Sequence, residues 1–366
     1  MRATDVFVIG GGPAGLAAAI AARRQGFDVV VADGALPPID KPCGEGLMPD
    51  GLAALCALGV SIAPEQAHKF RGIRFVSSRL SVEANFPNGS GFGVRRTVLH
   101  RTMMAAAEAE RVTLLWHTPV TGVTSDGVKL GDRLIRARWI VGADGGHSLV
   151  RQWTGLDRSR ERMRFAFRRH YRIAPWSEFV ELHWGPKCQI YITPVAADEI
   201  CVALISRNSD LRLDDALPAF PELASLLRGA EPSSIERGAI SSTRKLRRVY
   251  QGRVVLVGDA SGTVDAITGE GLCLAFHQAK LLAECLVTRD LERYQREHRM
   301  LAARPAMMAR LMLTLDWTTS FRQRVMRAFG SDPRLFARLL AMHVGVLSPV
   351  EFAATGLSLG WRALLA

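Results

Sequence analysis

The sequence predicts an α/β chain: a parallel-sheet domain, interrupted by a largely antiparallel sheet and closed by a helical region. Three observations carry that prediction. A strand, a glycine-rich turn, a helix and a second strand follow one another over residues 5–33, and apolar strands ending in small residues and an acid recur at 137–146 and 254–260. Residues 179–206 alternate apolar and polar side chains, as half-covered strands do. From residue 291 onward the pattern is helical, with Pro333 and Pro349 as breaks.

The first unit reads "DVFVIGGGPAGLAAAIAARRQGFDVVVAD". Val6, Val8 and Ile9 are apolar without clean alternation, which suits a parallel strand covered on both faces. Gly10, Gly12 and Gly15 match G-x-G-x-x-G, with Ala14 inside the same turn. The first glycine permits a tight turn, the second lets a pyrophosphate approach the backbone, and the third lets helix and strand pack closely. The helix start offers free N–H groups and a partial positive charge to phosphates. Asp33 follows the second strand about 20 residues past the turn, the place for an acid that accepts from a ribose 2′-hydroxyl. A dinucleotide site is the expectation.

Composition bounds the rest. With 366 residues, 48% of them hydrophobic, the chain can bury a large core or two domains. Apolar strand residues begin within the first positions and no apolar run spans a bilayer, so neither a signal peptide nor a spanning helix is expected, and the expected location is cytoplasmic. The six cysteines lack metal-ligand spacing and read as free thiols; no metal is expected. The net charge of +12 comes without a basic block or aromatic interleaving, so it argues for an anionic cofactor rather than nucleic acid.

A plain dinucleotide domain would continue with regular alternating units. Here a long irregular loop, "GALPPIDKPCGEGLMPDG", follows Asp33. Then come "GVRRTVLHRTMMAAAE" with Arg96, "TLLWHTPVTGVTSDGVKL" with Val120, "ARWIVGADGGHSLVRQWTG" with Asp144, and "VVLVGDASGTVDAITGEGLCLA" with Gly258, Asp259, Gly269, Gly271 and Leu272. The last places an acid at a strand tip and a glycine-flanked glutamate at a helix start.

In that order, the glycine fingerprint, R-x-x-L at Arg96, "GADGGHSLVR" and "GDASGTVDAITGEG" resemble the flavoprotein monooxygenases of the para-hydroxybenzoate hydroxylase fold and their geranylgeranyl reductase-like branch. The resemblance covers roughly residues 5–290. It implies a Rossmann-like, glutathione reductase-type FAD-binding domain over 1–75, 93–155 and 250–290. An antiparallel-sheet substrate domain would take 76–92 and 156–249, and C-terminal helices 291–366. FAD would lie against Gly10, Gly12, Ala14, Gly15, Asp33, Gly44, Arg96, Val120, Asp144, Gly258, Asp259, Gly269, Gly271 and Leu272. The helix starting near Gly269 would aim its positive end at the flavin edge that turns negative on reduction.

The resemblance also places "KPCGEGLMP" beside the flavin, making Cys43 and Glu45 candidate catalytic residues, with Tyr191 on the sheet as a third. A thiol role needs a lowered pKa, and Glu45 is a candidate base for a phenolic proton. The implied activity is NAD(P)H-dependent hydroxylation, by O2 through a flavin C4a-hydroperoxide, of an aromatic or phenolic, lipophilic small molecule. The alternatives are reduction of isoprenoid double bonds, suggested by "CGEG" and "TGEG", and modification of a partner protein's side chain. Two departures narrow the family. Aromatic hydroxylases usually carry a proline where Ile267 stands, and the Trp-x-Trp-x-Ile-Pro strand of flavin-dependent halogenases is absent from "QIYITP". The apolar C-terminal third reads as packing over the substrate channel, with peripheral membrane contact left open.

Overall fold

The computed structural model describes residues 3–78, 80–157 and 159–347. Its first sheet is built on the strand Ala3–Ile9, which pairs in parallel with Val29–Ala32 on one side and with Arg133–Gly142 on the other. Thr113–Leu115 extends the sheet beyond the former and Val254–Leu256 beyond the latter, both in parallel. Every residue of Val29–Ala32 is buried, as expected for strands covered on both faces. The helix Pro13–Arg24 packs against Gly271–Thr288 and against Arg96–Ala109. The order in the sheet reverses around the first strand, so the carboxyl ends of five strands open onto one crevice, the usual ligand position in such folds.

The second sheet lies over that crevice. Its order is Glu231–Pro232, Ser159–Arg172, Glu199–Ser206, Cys188–Ala196, Phe179–Trp184, Gly72–Ser77, Leu80–Asn85, with Arg237–Leu246 also pairing along the long strand. Where two or three strands were expected in 179–206 there are three, and the sheet is antiparallel except where Phe179–Trp184 runs parallel to Gly72–Ser77. The domain boundary expected after residue 75 falls inside Gly72–Ser77. A third, small sheet of Gly46–Leu47, Gly91–Gly93 and His68–Phe70 joins the loop after Asp33 to the segment before Arg96.

Among the described residues, three helices follow the nucleotide unit: Leu291–Thr314, Thr319–Ser331 and Pro333–His343. Pro305 sits inside the first and Pro333 opens the third, where its missing N–H costs nothing. Phe329, Phe336, Met326 and Met312 bury themselves against Phe75, Val82 and Trp184 of the second sheet. The helices therefore cover the sheet by packing. The expected break at Pro349 and the apolar tail from residue 352 lie outside the described residues. Among the described residues, no helix is long and apolar enough to cross a membrane.

Candidate functional site

The glycine turn at the end of the first strand is shaped by two contacts that leave no room for a side chain. Gly10 has φ 109°, and a Cβ on it would lie 2.5 Å from the Ala143 carbonyl oxygen. A Cβ on Gly15 would lie 1.8 Å from the Gly10 carbonyl oxygen. A Cβ on Gly12 would meet nothing within 4 Å, so the backbone there faces open space at the start of Pro13–Arg24. Ala14 packs differently from the expectation of cofactor contact alone: a Cβ on Gly258 would come 2.5 Å from its methyl group, so the two small residues let the turn and the 258 segment touch.

Asp33 is braced by the turn it serves. Its Oδ2 accepts from the Gly11 N–H at 2.7 Å and its Oδ1 from the Ala35 N–H at 2.8 Å. The unused lone pairs remain free to accept from a hydroxyl. His100 and Trp116 back the same turn; His100 Nε2 lies 2.9 Å from the Gly11 carbonyl oxygen, and burial pushes its pKa down. Val120 is half-buried against the core beyond them.

On the other side of the crevice, Asp144 accepts from the Val150 N–H through Oδ2, while its Oδ1 is buried without a partner. Arg151, buried and paired with Asp157, donates to the Ala260 carbonyl and ties this loop to the Gly258–Ser261 turn. Gly258, at φ 61°, donates its N–H to Gln278 Oε1. Next to it, surrounding protein pushes the Asp259 carboxyl up, against the pull of Arg96 and Lys41. Arg96 Nε is buried and has no partner. Gly269, at φ 67°, and Gly271 carry no neighbour where a Cβ would stand, and Leu272 is half-buried in the helix that follows. Buried donors and acceptors left unpaired beside an open glycine backbone are what a phosphate- and ribose-bearing group would satisfy. The residues present therefore fit FAD.

The three candidate catalytic residues, two on the loop before this crevice and one on the second sheet, each have protein partners of their own. Glu45 sits at φ 58°, is 2% exposed, and uses both oxygens: Oε1 accepts from the Arg96 N–H at 2.8 Å and Oε2 pairs with His170 Nε2 at 2.6 Å. It pins the loop to the first residue of Arg96–Ala109 and to the second sheet. The Cys43 sulfur accepts from the Glu45 N–H, and burial raises its pKa more than Arg96 lowers it, so it is a thiol rather than a thiolate. The Tyr191 hydroxyl donates to the Ile267 carbonyl, and burial pushes the phenol far up. Gly44 is exposed and open on the same loop.

Sequence reasoning missed the residues that anchor this loop. Arg168 and His170 are buried on one face of Ser159–Arg172; Arg168 pairs with Asp40, which also meets Arg237 at 3.0 Å. Their signal was present, since charged residues two apart on a strand share a face, and a buried charged face needs partners. Lys41, whose charge bears on Asp259, was passed over inside "KPCGEG". Glu45, His170 and Cys201 lie close enough to hold a metal ion. The Glu45 oxygens are already used, however, and the Arg168 guanidinium lies 2.9 Å from His170 Nδ1, a poor setting for a cation.

A glycine turn, a ribose acid and an open helix start, all at the carboxyl edge of one parallel sheet with a second sheet above, define an FAD-dependent oxidoreductase. The chain belongs to the FAD binding domain family, whose profile matches residues 3–212. It is 29% identical to a menaquinone reductase of Mycobacterium tuberculosis over 317 residues, covering 79% of this chain and 78% of that one. It is 28% identical to a digeranylgeranylglycerophospholipid reductase of Methanopyrus kandleri, covering 73% of each. A flavoprotein/dehydrogenase from Cytophaga hutchinsonii superposes with a TM-score of 0.81 at 20% identity, covering 94% of this chain and 93% of that one. The resemblance drawn from the sequence motifs, including its geranylgeranyl reductase-like branch, is borne out.

Proposed function

We propose that this chain is an FAD-dependent reductase that adds hydrogen to a double bond of a lipophilic, isoprenoid-bearing molecule, with NAD(P)H as the electron source. The observation that carries this reading is the state of the polar side chains expected to act on substrate. Glu45 is spent on the loop, Tyr191 on the Ile267 carbonyl, and Cys43 is a buried-side thiol. Phenol hydroxylation calls for a base within reach of the phenolic proton, and these candidates are engaged elsewhere. Reduction of an apolar chain needs instead an apolar wall that excludes water. Met48, Phe70, Ile267 and Met308, which belong to the apolar cluster shared by the sheets and the C-terminal helices, would supply one. The relatives named as reductases of menaquinone and of a digeranylgeranyl lipid support the same substrate class.

Bound FAD would supply the two-electron chemistry, and the protein supplies its setting. Asp33 would hold the ribose, the backbone at Gly12 the pyrophosphate, and Asp144 and Arg96 would satisfy their unpaired atoms on the cofactor. Lys41, Arg96 and the helix start at Gly271 give that end of the crevice a positive field, which favours electron acceptance. Hydroxylation, the first reading of the sequence, differs in needing O2. The test is anaerobic turnover of a polyprenyl quinone or prenyl lipid with NADPH and FAD. Product gaining two hydrogens without air supports reduction; strict O2 dependence with one oxygen gained refutes it and restores hydroxylation.

A further inference from the structure

Glu270 stands at the start of Gly271–Thr288 and lines the crevice with Asp259, Gly271 and Leu274. It is 2% exposed, yet it is not held as a buried carboxylate usually is. Its Oε2 has no hydrogen-bond partner, and its Oε1 has only a long 3.4 Å contact from Arg304 Nη2. That guanidinium lies closer to Asp50, at 3.1 Å. His343 Nδ1 comes within 3.5 Å of Oε2 without forming a hydrogen bond, and is itself left unpartnered.

The groups around this carboxyl come from four helices. Asp50 reaches it from Pro49–Ala57, Cys273 from its own helix, Arg304 from Leu291–Thr314, and His343 from Pro333–His343; His277 stands behind them, beside Asp50 and Arg304. Asp259 shares the crevice. Burial dominates, Arg304 opposes it and Asp50 adds to it, so the carboxyl is pushed up to about 8. Burial also pushes His343 down to about 4, so at neutral pH it is uncharged and offers no countercharge. Cys273, which donates to Asp50, is likewise held as a thiol by burial.

A neutral acid at this point has a consequence for the bound cofactor. Two-electron reduction of FAD with uptake of one proton leaves one negative charge in the crevice. An ionised Glu270 would then place a second beside it at low dielectric, and like charges raise each other's proton affinity.

We propose that Glu270 is the proton-holding residue of the site: it stays protonated beside the reduced FAD at neutral pH, and where the pH leaves it ionised it takes a proton from solvent when the bound FAD is reduced and returns it when the FAD is reoxidised. The balance is simple. Bound FAD would accept two electrons and one proton and leave one negative charge in the crevice. Separately, the Glu270 carboxylate gains one proton and becomes the acid, forming one O–H bond and breaking none in the protein. Reduction therefore takes up one proton where Glu270 is already neutral and two where it starts ionised. The proposal rests on FAD as cofactor and is independent of the substrate.

The test is a dye-equilibrated redox titration of the FAD-loaded full chain with dithionite, from about pH 7 to about pH 9.5. In the wild type the dependence of midpoint potential on pH should double in slope above about pH 8. In Glu270→Gln it should keep the single-proton slope throughout. Infrared spectra of the apoprotein should show a protonated-carboxyl band at neutral pH that fades with the same midpoint and is absent from the variant. Equal slopes in the two proteins overturn the proposal. Should Glu270→Gln not fold, Arg304→Met serves instead. Losing that cation should move the wild-type bend to higher pH, and an unmoved bend overturns the proposal. Failure of the wild type to take up FAD at all would instead refute the cofactor assignment.

Discussion

Gly12 and Gly15 lie three residues apart in one turn, and the structure predicts opposite consequences for the same substitution. Gly15→Ala forces a methyl group to 1.8 Å from the Gly10 carbonyl oxygen, with the Ala143 Cβ at 3.3 Å behind it. The helix Pro13–Arg24 must move off the strand, breaking a packed core interface, at a cost of roughly 1–3 kcal/mol or more. Gly12→Ala meets no atom within 4 Å, and its backbone at φ −70° and ψ 176° suits any residue. Reduced unfolded-state freedom gains about 0.4–1 kcal/mol, while alanine is a poorer N-cap than glycine by a comparable amount. Apoprotein stability should therefore change by less than about 1 kcal/mol. The new methyl group would stand where the pyrophosphate approaches, so FAD affinity should fall at least about tenfold, the equivalent of about 1.4 kcal/mol. Urea unfolding of both apoproteins and flavin-fluorescence titration separate the effects. Unchanged FAD affinity in Gly12→Ala, or wild-type stability in Gly15→Ala, would refute this account of the turn.

Other substitutions probe the braces. Asp33→Ala should weaken FAD binding and also lower apoprotein stability by roughly 1–3 kcal/mol, because the Gly11 and Ala35 N–H groups lose their acceptor; wild-type FAD affinity would show that Asp33 does not hold the ribose. Glu45→Gln should destabilise the apoprotein by a similar amount and loosen FAD, measured by thermal melting and dialysis. Full stability with normal FAD but lost turnover would make Glu45 a catalytic base after all. Tyr191→Phe should cost about 0.5–1.5 kcal/mol and leave turnover largely intact, since the phenol serves the Ile267 carbonyl. His298 and His343 are each pushed down to about 4, chiefly by burial. A depressed histidine contributes stability that is present above its unfolded pKa and lost as pH falls through the folded one. Between about pH 6.5 and about pH 4, where the raised Glu270 carboxyl acts in the opposite sense, His343→Gln should therefore lose less stability to acid than the wild type; identical pH dependence of the urea midpoints in the two proteins would contradict the burial of the His343 ring.

Much of the fold was legible because it depends on local pattern. Val6, Val8 and Ile9 without alternation, followed by three spaced glycines, specify strand, turn and helix within one short stretch. The alternation of 179–206 specifies strands for a similar reason. The parallel pairing of Phe179–Trp184 with Gly72–Ser77 was not legible, because partners so far apart in sequence leave no local trace.

The site divides in the same way. The sequence by itself determined the fold class, the cofactor family and the glycine positions, since backbone conformation and close approach admit few residue types there. Only the tertiary structure decided what the acids do. Glu45 and Glu270 both sit next to a glycine, in "CGEG" and "TGEG". One finds a buried histidine and a backbone N–H and becomes a brace. The other finds an uncharged histidine and a distant, shared arginine, and is left neutral. A carboxyl's state is set by the charges and donors within a few ångströms of it, and here those come from other elements: Arg96 and His170 for Glu45, Arg304 and His343 for Glu270.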